Sequence, residues 1–182
     1  MAKIIKKFDG GYKFNPFLCE DETNIIIHHA LRVNGNIIEV GCNRGLTSLA
    51  ISKVCPTKII YAIDCETPTN KDQQYEVVAL WAECKGINNI VCINANSQTM
   101  DLNLFKDIGM VFIDGDHTYE GVKKDYENSR KLIKEGVIIF HDYKPDTNYI
   151  WNEVAKFVDE LSIVEDIIIY SDTMLAMMEI TK

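Results

Sequence analysis

The sequence has no apolar run long enough to cross a membrane and no pair of cysteines in C-x-x-C spacing. A membrane-spanning helix needs about 20 apolar residues in succession, so we expect no membrane partner. The six cysteines do not have the spacing of a zinc or thiol-redox site. We expect them to be small buried thiols in a cytoplasmic, reducing compartment, because no apolar segment of a secretory signal follows the basic N-terminus.

Positive charge is also scarce, since 19 Lys and Arg stand against 27 Asp and Glu and give a net charge of −8. Binding to a nucleic acid backbone normally needs a basic face, so a nucleic acid partner is disfavoured. The chain of 182 residues, 47% of them hydrophobic, has the size and composition of one globular domain. We expect one domain over 1–182, with an N-terminal lead-in and helix over 1–35 and an α/β core over 36–182.

Short apolar runs alternate with helical patterns, which predicts a single doubly wound, Rossmann-like α/β domain with a mostly parallel sheet of seven strands. The predicted strands cover 36–40, 58–63, 89–93, 110–113, 137–140, 163–170 and 174–180. The last two strands are predicted to form an antiparallel hairpin that adds a strand at one edge. The predicted helices cover 21–33, 46–54, 72–85, 119–134 and 148–161. We expect Ile150 and Trp151 on the buried side of the last helix.

A tight loop with two glycines, Gly41 and Gly45, follows the first predicted strand of the core. A dinucleotide-binding turn requires glycines at its first, third and sixth positions, and Asn43 and Leu46 occupy two of these. The carboxylate of Glu39 at the strand tip would repel a diphosphate but would suit a cationic ligand. The loop therefore favours a cationic cofactor over a nicotinamide dinucleotide, with an ordinary strand-to-helix turn as the alternative.

Polar residues also follow the next two predicted strands. Asp64 ends the second strand, 19 residues past Gly45, where a carboxylate can accept both ribose hydroxyls of an adenosine. Asn96 and Ser97 follow the third strand, where the adenine edge would lie, although a plain turn is an equally good interpretation. Since the carboxyl ends of parallel strands share one rim of the sheet, we expect a ligand site at this rim.

The most specific motif is I-D-G-D-H-T-Y-E-G-V at residues 113–122, followed by H-D-Y at 141–143. Together with E-V-G-C-N-R-G at 39–45, these residues resemble the class I S-adenosylmethionine-dependent methyltransferases. Within that class they resemble the methyltransferase domain 24 family, which is similar to macrolide sugar O-methyltransferases. The resemblance covers residues 36–143 and departs from the common first motif at Asn43, which replaces the middle glycine.

The resemblance implies S-adenosylmethionine as cofactor, a sugar or phenol hydroxyl of a small molecule as methyl acceptor, and a homodimer, which small relatives often form. The residues implied to contact the cofactor are Glu39, Gly41, Cys42, Asn43, Gly45, Asp64, Asn96, Ser97 and Asp114. Asp114 would lie beneath the transferring methyl group, as a catalytic residue. His117 is the candidate catalytic base, because its ordinary pKa is near neutrality; the alternative is a structural histidine that caps the next helix or orients Asp114.

A divalent metal is also implied, because some relatives bind one through an acid after the fourth strand and two residues after the fifth. The matching residues are Asp114, His141 and Asp142. Magnesium prefers oxygen ligands, so His141 favours manganese, iron or zinc, or leaves only the two carboxylates as ligands. Two other functions stay open: a nicotinamide-dependent or hydroxylase-like enzyme on the same fold, and a non-catalytic binding protein.

Overall fold

The computed structural model describes residues 3–5, 18–43, 45–65, 87–144, 146 and 148–181. The strands are β1 (Lys3–Ile5), β2 (Asn36–Val40), β3 (Ile60–Asp64), β4 (Ile90–Asn94), β5 (Ile108–Ile113), β6 (Ile133–Phe140), β7 (Ile167–Tyr170) and β8 (Ala176–Ile180). The helices are α1 (Glu20–Arg32), α2 (Leu46–Val54), α3 (Tyr119–Leu132) and α4 (Asn152–Leu161), with a short 3-10 helix at Leu102–Leu104. The predicted helix 72–85 lies outside the described residues.

The strands form one sheet in the order β1-β7-β8-β6-β5-β2-β3-β4. Neighbouring strands run parallel except around β8, which is antiparallel to both β6 and β7. The predicted doubly wound, Rossmann-like fold with a C-terminal antiparallel hairpin is therefore confirmed. The position of β8 differs from the prediction, because it lies between β6 and β7 and not at an edge. Three successive residues of β8, Ala176–Met178, are apolar and buried, as expected for a strand in the interior of a sheet whose two faces are covered.

An eighth strand, β1, pairs in parallel with β7 and was not predicted from the sequence. It has three residues, which is too short for a period-2 pattern to stand out. Its place beside β7 makes part of the N-terminal lead-in an edge strand of the sheet.

The central strand β5 and the second half of β6, 137–140, are buried apolar runs because helices cover both faces of the sheet. On one face, Ile38 and Val111 pack in a cluster that also contains Val122 of α3 and Phe157 of α4. On the other face, the cluster contains Ile37, Met110 and Phe112 of the strands together with Ile26 of α1 and Ile51 of α2. Successive strand residues thus enter opposite cores, as the pleat of a strand requires.

The last helix begins later than predicted. It starts at Asn152, and the two preceding residues lie in a turn. Ile150 is 75% exposed and Trp151 41% exposed, so the prediction that both are buried is wrong. The apolar spacing of the sequence continues past the true start of the helix, and spacing alone does not locate a helix end.

The prediction of buried cysteines holds for Cys42 and Cys55 and is wrong for Cys19 and Cys65, which are exposed. Cys65 lies just beyond the tip of β3, and Cys19 lies at the N-cap of α1, so neither belongs to the packed interior of an element. Cys84 lies outside the described residues. Among the described helices, none is long and apolar enough to span a membrane.

We expect Phe112→Ala to lower the free energy of unfolding by about 3–5 kcal/mol, because this side chain of the central strand β5 is fully buried. Urea denaturation measures the change. The control is Leu104→Ala at a side chain that is 61% exposed, where a change within about 0.5 kcal/mol is expected. Equal losses in the two variants would contradict the described core.

Candidate active site

The predicted site residues lie at the carboxyl ends of adjacent strands. In the sheet order, β6, β5, β2 and β3 are neighbours and run in the same direction. Their ends carry His141, Asp114, Glu39 and Asp64, respectively. The parallel pairing brings these residues to one rim although they are widely separated in the sequence. Ligands of doubly wound sheets bind at this rim.

The loop between β2 and α2 has a backbone that only a few residue types adopt without strain. Gly41, Asn43 and Gly45 all have positive φ angles, of 81°, 44° and 68°. A Cβ atom at Gly41 would lie 2.0 Å from the carbonyl oxygen of Asp114, so glycine is required for the two loops to lie against each other. The backbone N–H of Asn43 donates to Oδ2 of Asp64 at 2.7 Å. The loop is thereby tied to the tips of β5 and β3.

Glu39 lies beneath this loop and is only 2% exposed. The hydroxyl of Ser48 donates to its carboxylate, which also accepts hydrogen bonds from the Ser48 backbone and the Thr47 side chain. The N-cap of α2 is Gly45, which has no side chain to accept a hydrogen bond. Glu39 instead accepts the hydrogen bonds that the first turn of the helix donates. Burial raises the pKa of Glu39 to about 8, and the hydrogen bonds from Ser48 and Thr47 only partly oppose this. In this structure Glu39 supports the loop from below.

Asp114, His117, His141 and Asp142 form a compact cluster of charges after β5 and β6. Nε2 of His117 lies 2.9 Å from Oδ2 of Asp142 and 3.5 Å from Oδ1 of Asp114. Nδ1 of His141 lies 3.2 Å from the same two carboxylate oxygens. Two imidazoles therefore contact two carboxylates, and each carboxylate contacts both imidazoles.

The contacts shift the pKa values of three members of this cluster, His117, His141 and Asp142, toward their charged forms. Burial alone would lower the pKa of each histidine, but Asp114 and Asp142 outweigh it and raise the pKa of His117 to about 9 and of His141 to about 12. Burial would raise the pKa of Asp142, but hydrogen bonds from the two histidines and Tyr149 hold it well below its usual range. His117 is consequently protonated at neutral pH, which suits an orienting role and means that it can act as a base only after losing this proton.

The donor atoms present fit a divalent metal, but in a set that differs from the prediction. Asp114, His117 and Asp142 each offer one ligand atom, and these atoms lie within 4.8 Å of one another. Two carboxylates and one imidazole suit manganese, iron or zinc better than magnesium. The predicted ligand His141 is 7% exposed, and its Nε2 lies 3.7 Å from Oε2 of Glu22 on α1. Nδ1 of His141 nevertheless lies 3.2 Å from the same two carboxylates, so His141 as a metal ligand stays a prediction.

Three residues of the rim were missed by the sequence analysis. Glu22 is buried, and its carboxylate accepts from the backbone N–H groups of Cys19 at 2.9 Å and Met174 at 2.8 Å. The hydroxyl of Tyr149 donates to Oδ1 of Asp142, and the indole of Trp151 stacks on the ring of His117 at 4.7 Å. Aromatic residues shortly after the H-D-Y motif were a usable signal. Glu22 offered none, because acidic residues are common in any first helical turn.

The predicted adenine residues lie on the loop after β4, next to the tip of β3. Asp64 pairs with Asn94 across these two strands, so the loop continues beside the predicted ribose residue. Oδ1 of Asn96 accepts from the backbone N–H of Gln98 at 2.8 Å, which closes a turn. The Ser97 hydroxyl donates to Oδ1 of Asp125 on α3 at 2.7 Å.

Comparison with known proteins gives one family and many similar folds. The Methyltransferase domain family matches residues 38–143. The SAH-bound methyltransferase PaMTH1 from Podospora anserina has a TM-score of 0.70 at 15% identity, with 90% of this chain and 80% of that chain covered. A putative caffeoyl-CoA O-methyltransferase from Staphylococcus aureus gives 0.67 at 17% identity, with 90% and 85% covered. An rRNA methylase from Streptococcus thermophilus gives 0.65 at 15% identity, with 87% and 96% covered.

These structures share the fold of this chain, and their low identities leave the methyl acceptor open. They include a putative caffeoyl-CoA O-methyltransferase and an rRNA methylase, which are different kinds of methyltransferase on one scaffold. The comparison with curated proteins gives no match.

We expect the metal-free protein to lose stability as the pH rises from about 6.5 to about 9. The folded pKa of His117, about 9, exceeds its ordinary value of 6.5. The stabilisation from Asp114 and Asp142 is therefore complete below pH 6.5 and is lost as the pH rises through about 9. Urea denaturation in EDTA across this range measures the slope, and His117→Gln should reduce it.

His28→Gln provides the matched control for this measurement. Burial and the charge of Arg32 lower the pKa of His28, so its contribution changes below pH 6.5 and not above. A slope that is the same in wild type and His117→Gln would show that another group is responsible.

Proposed function

Since this chain belongs to the class I S-adenosylmethionine-dependent methyltransferases, in the methyltransferase domain 24 family, we propose that it transfers a methyl group from S-adenosylmethionine to a hydroxyl of a small molecule. The observation that carries this proposal is the loop after β2, where Gly41, Asn43 and Gly45 have left-handed backbone and Gly41 and Asn43 contact Asp114 and Asp64. A sulfonium cation suits this surrounding, whereas the diphosphate of a nicotinamide cofactor would be repelled by both carboxylates.

The cofactor would lie across the rim with its ribose at the tip of β3. A carboxylate has room for several donors, so Asp64 can accept ribose hydroxyls beside its bond from Asn43. The methionine part would then lie over Gly41 and Cys42, and the sulfonium near Asp114. Asn96 and Ser97 would face the adenine edge from the neighbouring loop after β4.

Methyl transfer is an in-line displacement in which the acceptor oxygen forms a bond to the methyl carbon while the carbon–sulfur bond breaks. The acceptor must lie opposite sulfur, so positioning supplies much of the rate. Its hydroxyl proton must leave; without a metal, a neutral His117 whose Nε2–H donates to Asp142 at 2.9 Å would accept it at Nδ1. With a metal, Asp114, His117 and Asp142 would be its ligands, and the metal would replace the base by lowering the pKa of a coordinated hydroxyl.

A small-molecule acceptor fits the surface beside the charge cluster. Trp151 is 41% exposed while it stacks on His117, and its neighbour Ile150 is 75% exposed. An apolar surface next to a few polar groups is the usual composition of a small-molecule pocket. The net charge of −8 disfavours a nucleic acid acceptor, although the fold is shared with an rRNA methylase.

The first test is cofactor binding by isothermal titration calorimetry. We expect micromolar binding of S-adenosylhomocysteine to wild type and at least about tenfold weaker binding to Asp64→Ala, which loses charge-assisted hydrogen bonds to the ribose. The matched control is Asp166→Ala, at an exposed residue immediately before β7, where we expect unchanged affinity. Folded wild-type protein that does not bind S-adenosylhomocysteine would overturn the proposed function.

The second test is methyl transfer to a panel of phenols and sugars, with the product S-adenosylhomocysteine quantified by mass spectrometry. We expect turnover that falls about tenfold or more after treatment with EDTA and returns with manganese, because a metal would activate the acceptor hydroxyl. Asp142→Asn should abolish the response to manganese; its φ of 57° is one that Asn tolerates well, so the backbone is kept.

The outcomes of this second test separate the parts of the proposal. Turnover that EDTA does not change would contradict the metal while leaving methyl transfer intact. Cofactor binding without turnover on any acceptor would favour the non-catalytic binding protein.

A further inference from the structure

A buried carboxylate on α3 faces the loop that follows β4. Asp125 is 1% exposed, and its Oδ1 accepts the Ser97 hydroxyl at 2.7 Å. Its other oxygen, Oδ2, has no hydrogen-bond partner among the described residues. This carboxylate lines a cavity of about 20 Å³ whose walls are otherwise mostly apolar. That volume accommodates one water molecule, which would supply Oδ2 with a donor.

Residues other than Asp125 also hold the loop after β4. Nδ2 of Asn128, one turn further along α3, donates to the backbone carbonyls of Ser97 at 3.1 Å and Gln98 at 3.3 Å. Nε2 of Gln98 donates to Oδ2 of Asp116 at 3.1 Å. Asp125 contacts this loop through the Ser97 hydroxyl. The backbone of the loop is held by Asn128.

The charge of Asp125 decides which way the Ser97 hydroxyl points. Burial raises the pKa of Asp125 to about 6, the bond from Ser97 opposes this, and the charge of Asp116 adds to it. At pH 7.5 the carboxylate is still ionised, and an ionised carboxylate accepts hydrogen bonds but donates none. Ser97 has one hydroxyl proton and must give it to Asp125. For any further partner, Oγ of Ser97 is then an acceptor only.

We propose that Asp125 is a positioning residue that orients the Ser97 hydroxyl and so makes the cofactor site select a base with an exocyclic amino group. This inference rests on the proposed function, in which the adenine edge faces Ser97. The 6-amino group of adenine donates a hydrogen bond to an acceptor-only oxygen. Hypoxanthine carries a carbonyl oxygen at the same position and would place two acceptors against each other.

The experiment compares S-adenosylhomocysteine with S-inosylhomocysteine, its deaminated analogue, by calorimetry at pH 7.5. We expect wild type to bind the adenosyl compound about tenfold or more tightly, the discrimination that one hydrogen bond supplies. Asp125→Asn should reduce this ratio to about threefold or less, because an amide can donate to Ser97 and free its proton for the carbonyl of the analogue.

Two further variants separate orientation from general loosening. Ser97→Ala removes the oriented group, so it should lower the ratio in the same way, and adding Asp125→Asn to it should have no further effect on the ratio. Asn128→Ala loosens the loop and should weaken both ligands by a similar factor with the ratio kept. Thermal unfolding of each variant checks that it is folded.

The outcomes distinguish failure of the proposed function from failure of this inference. Wild type that binds neither compound would overturn the proposed function together with this inference. Wild type that binds S-adenosylhomocysteine, with a ratio unchanged in Asp125→Asn, would overturn this inference alone. If Asp125→Asn does not fold, Ser97→Ala decides: an unchanged ratio in that variant overturns the role of the hydroxyl.

Discussion

The close approach of Gly41 to the carbonyl of Asp114 is the contact on which the rest of the site depends. A Cβ at Gly41 would lie 2.0 Å from that oxygen, so no other residue lets the loop after β2 rest on the loop after β5. Because the two loops touch, the first turn of α2 begins directly over Glu39, and Asn43 reaches Asp64. The acidic surround of the proposed cofactor site follows from this backbone contact.

The histidines of the rim are paired with carboxylates within the protein. His117 and His141 lie between Asp114 and Asp142, and Glu22 approaches His141 from α1. Removing such charges from water is costly unless they are paired, which explains why the histidines hold their protons so strongly. A metal ion or a sulfonium bound near this cluster would bring its own positive charge. Asp114 and Asp142 would then neutralise the charge of the ligand, and the histidines would hold their protons less strongly.

The helices on the two faces of the sheet contact different parts of the rim. On one face, α1 and α2 bring Glu22 and Ser48 to the carboxylates beneath the rim. On the other face, α3 holds the loop after β4 through Asn128 and contacts Ser97 through Asp125. Two aromatic residues in the segment before α4, Tyr149 and Trp151, contact Asp142 and His117 of the charge cluster. Under the proposed function, this segment would border the methyl acceptor.

The sequence by itself determined the alternating elements, the carboxylates at the strand ends and the family, because these are local patterns of apolar runs, glycines and the motif around Asp114. Only the tertiary structure decided that β8 lies inside the sheet, that Trp151 is exposed, and that His117 lies beside Asp114 and Asp142. Strand order, helix ends and side-chain partners depend on contacts between residues far apart in the chain. The spacing of residues within one segment does not show which distant segments come into contact.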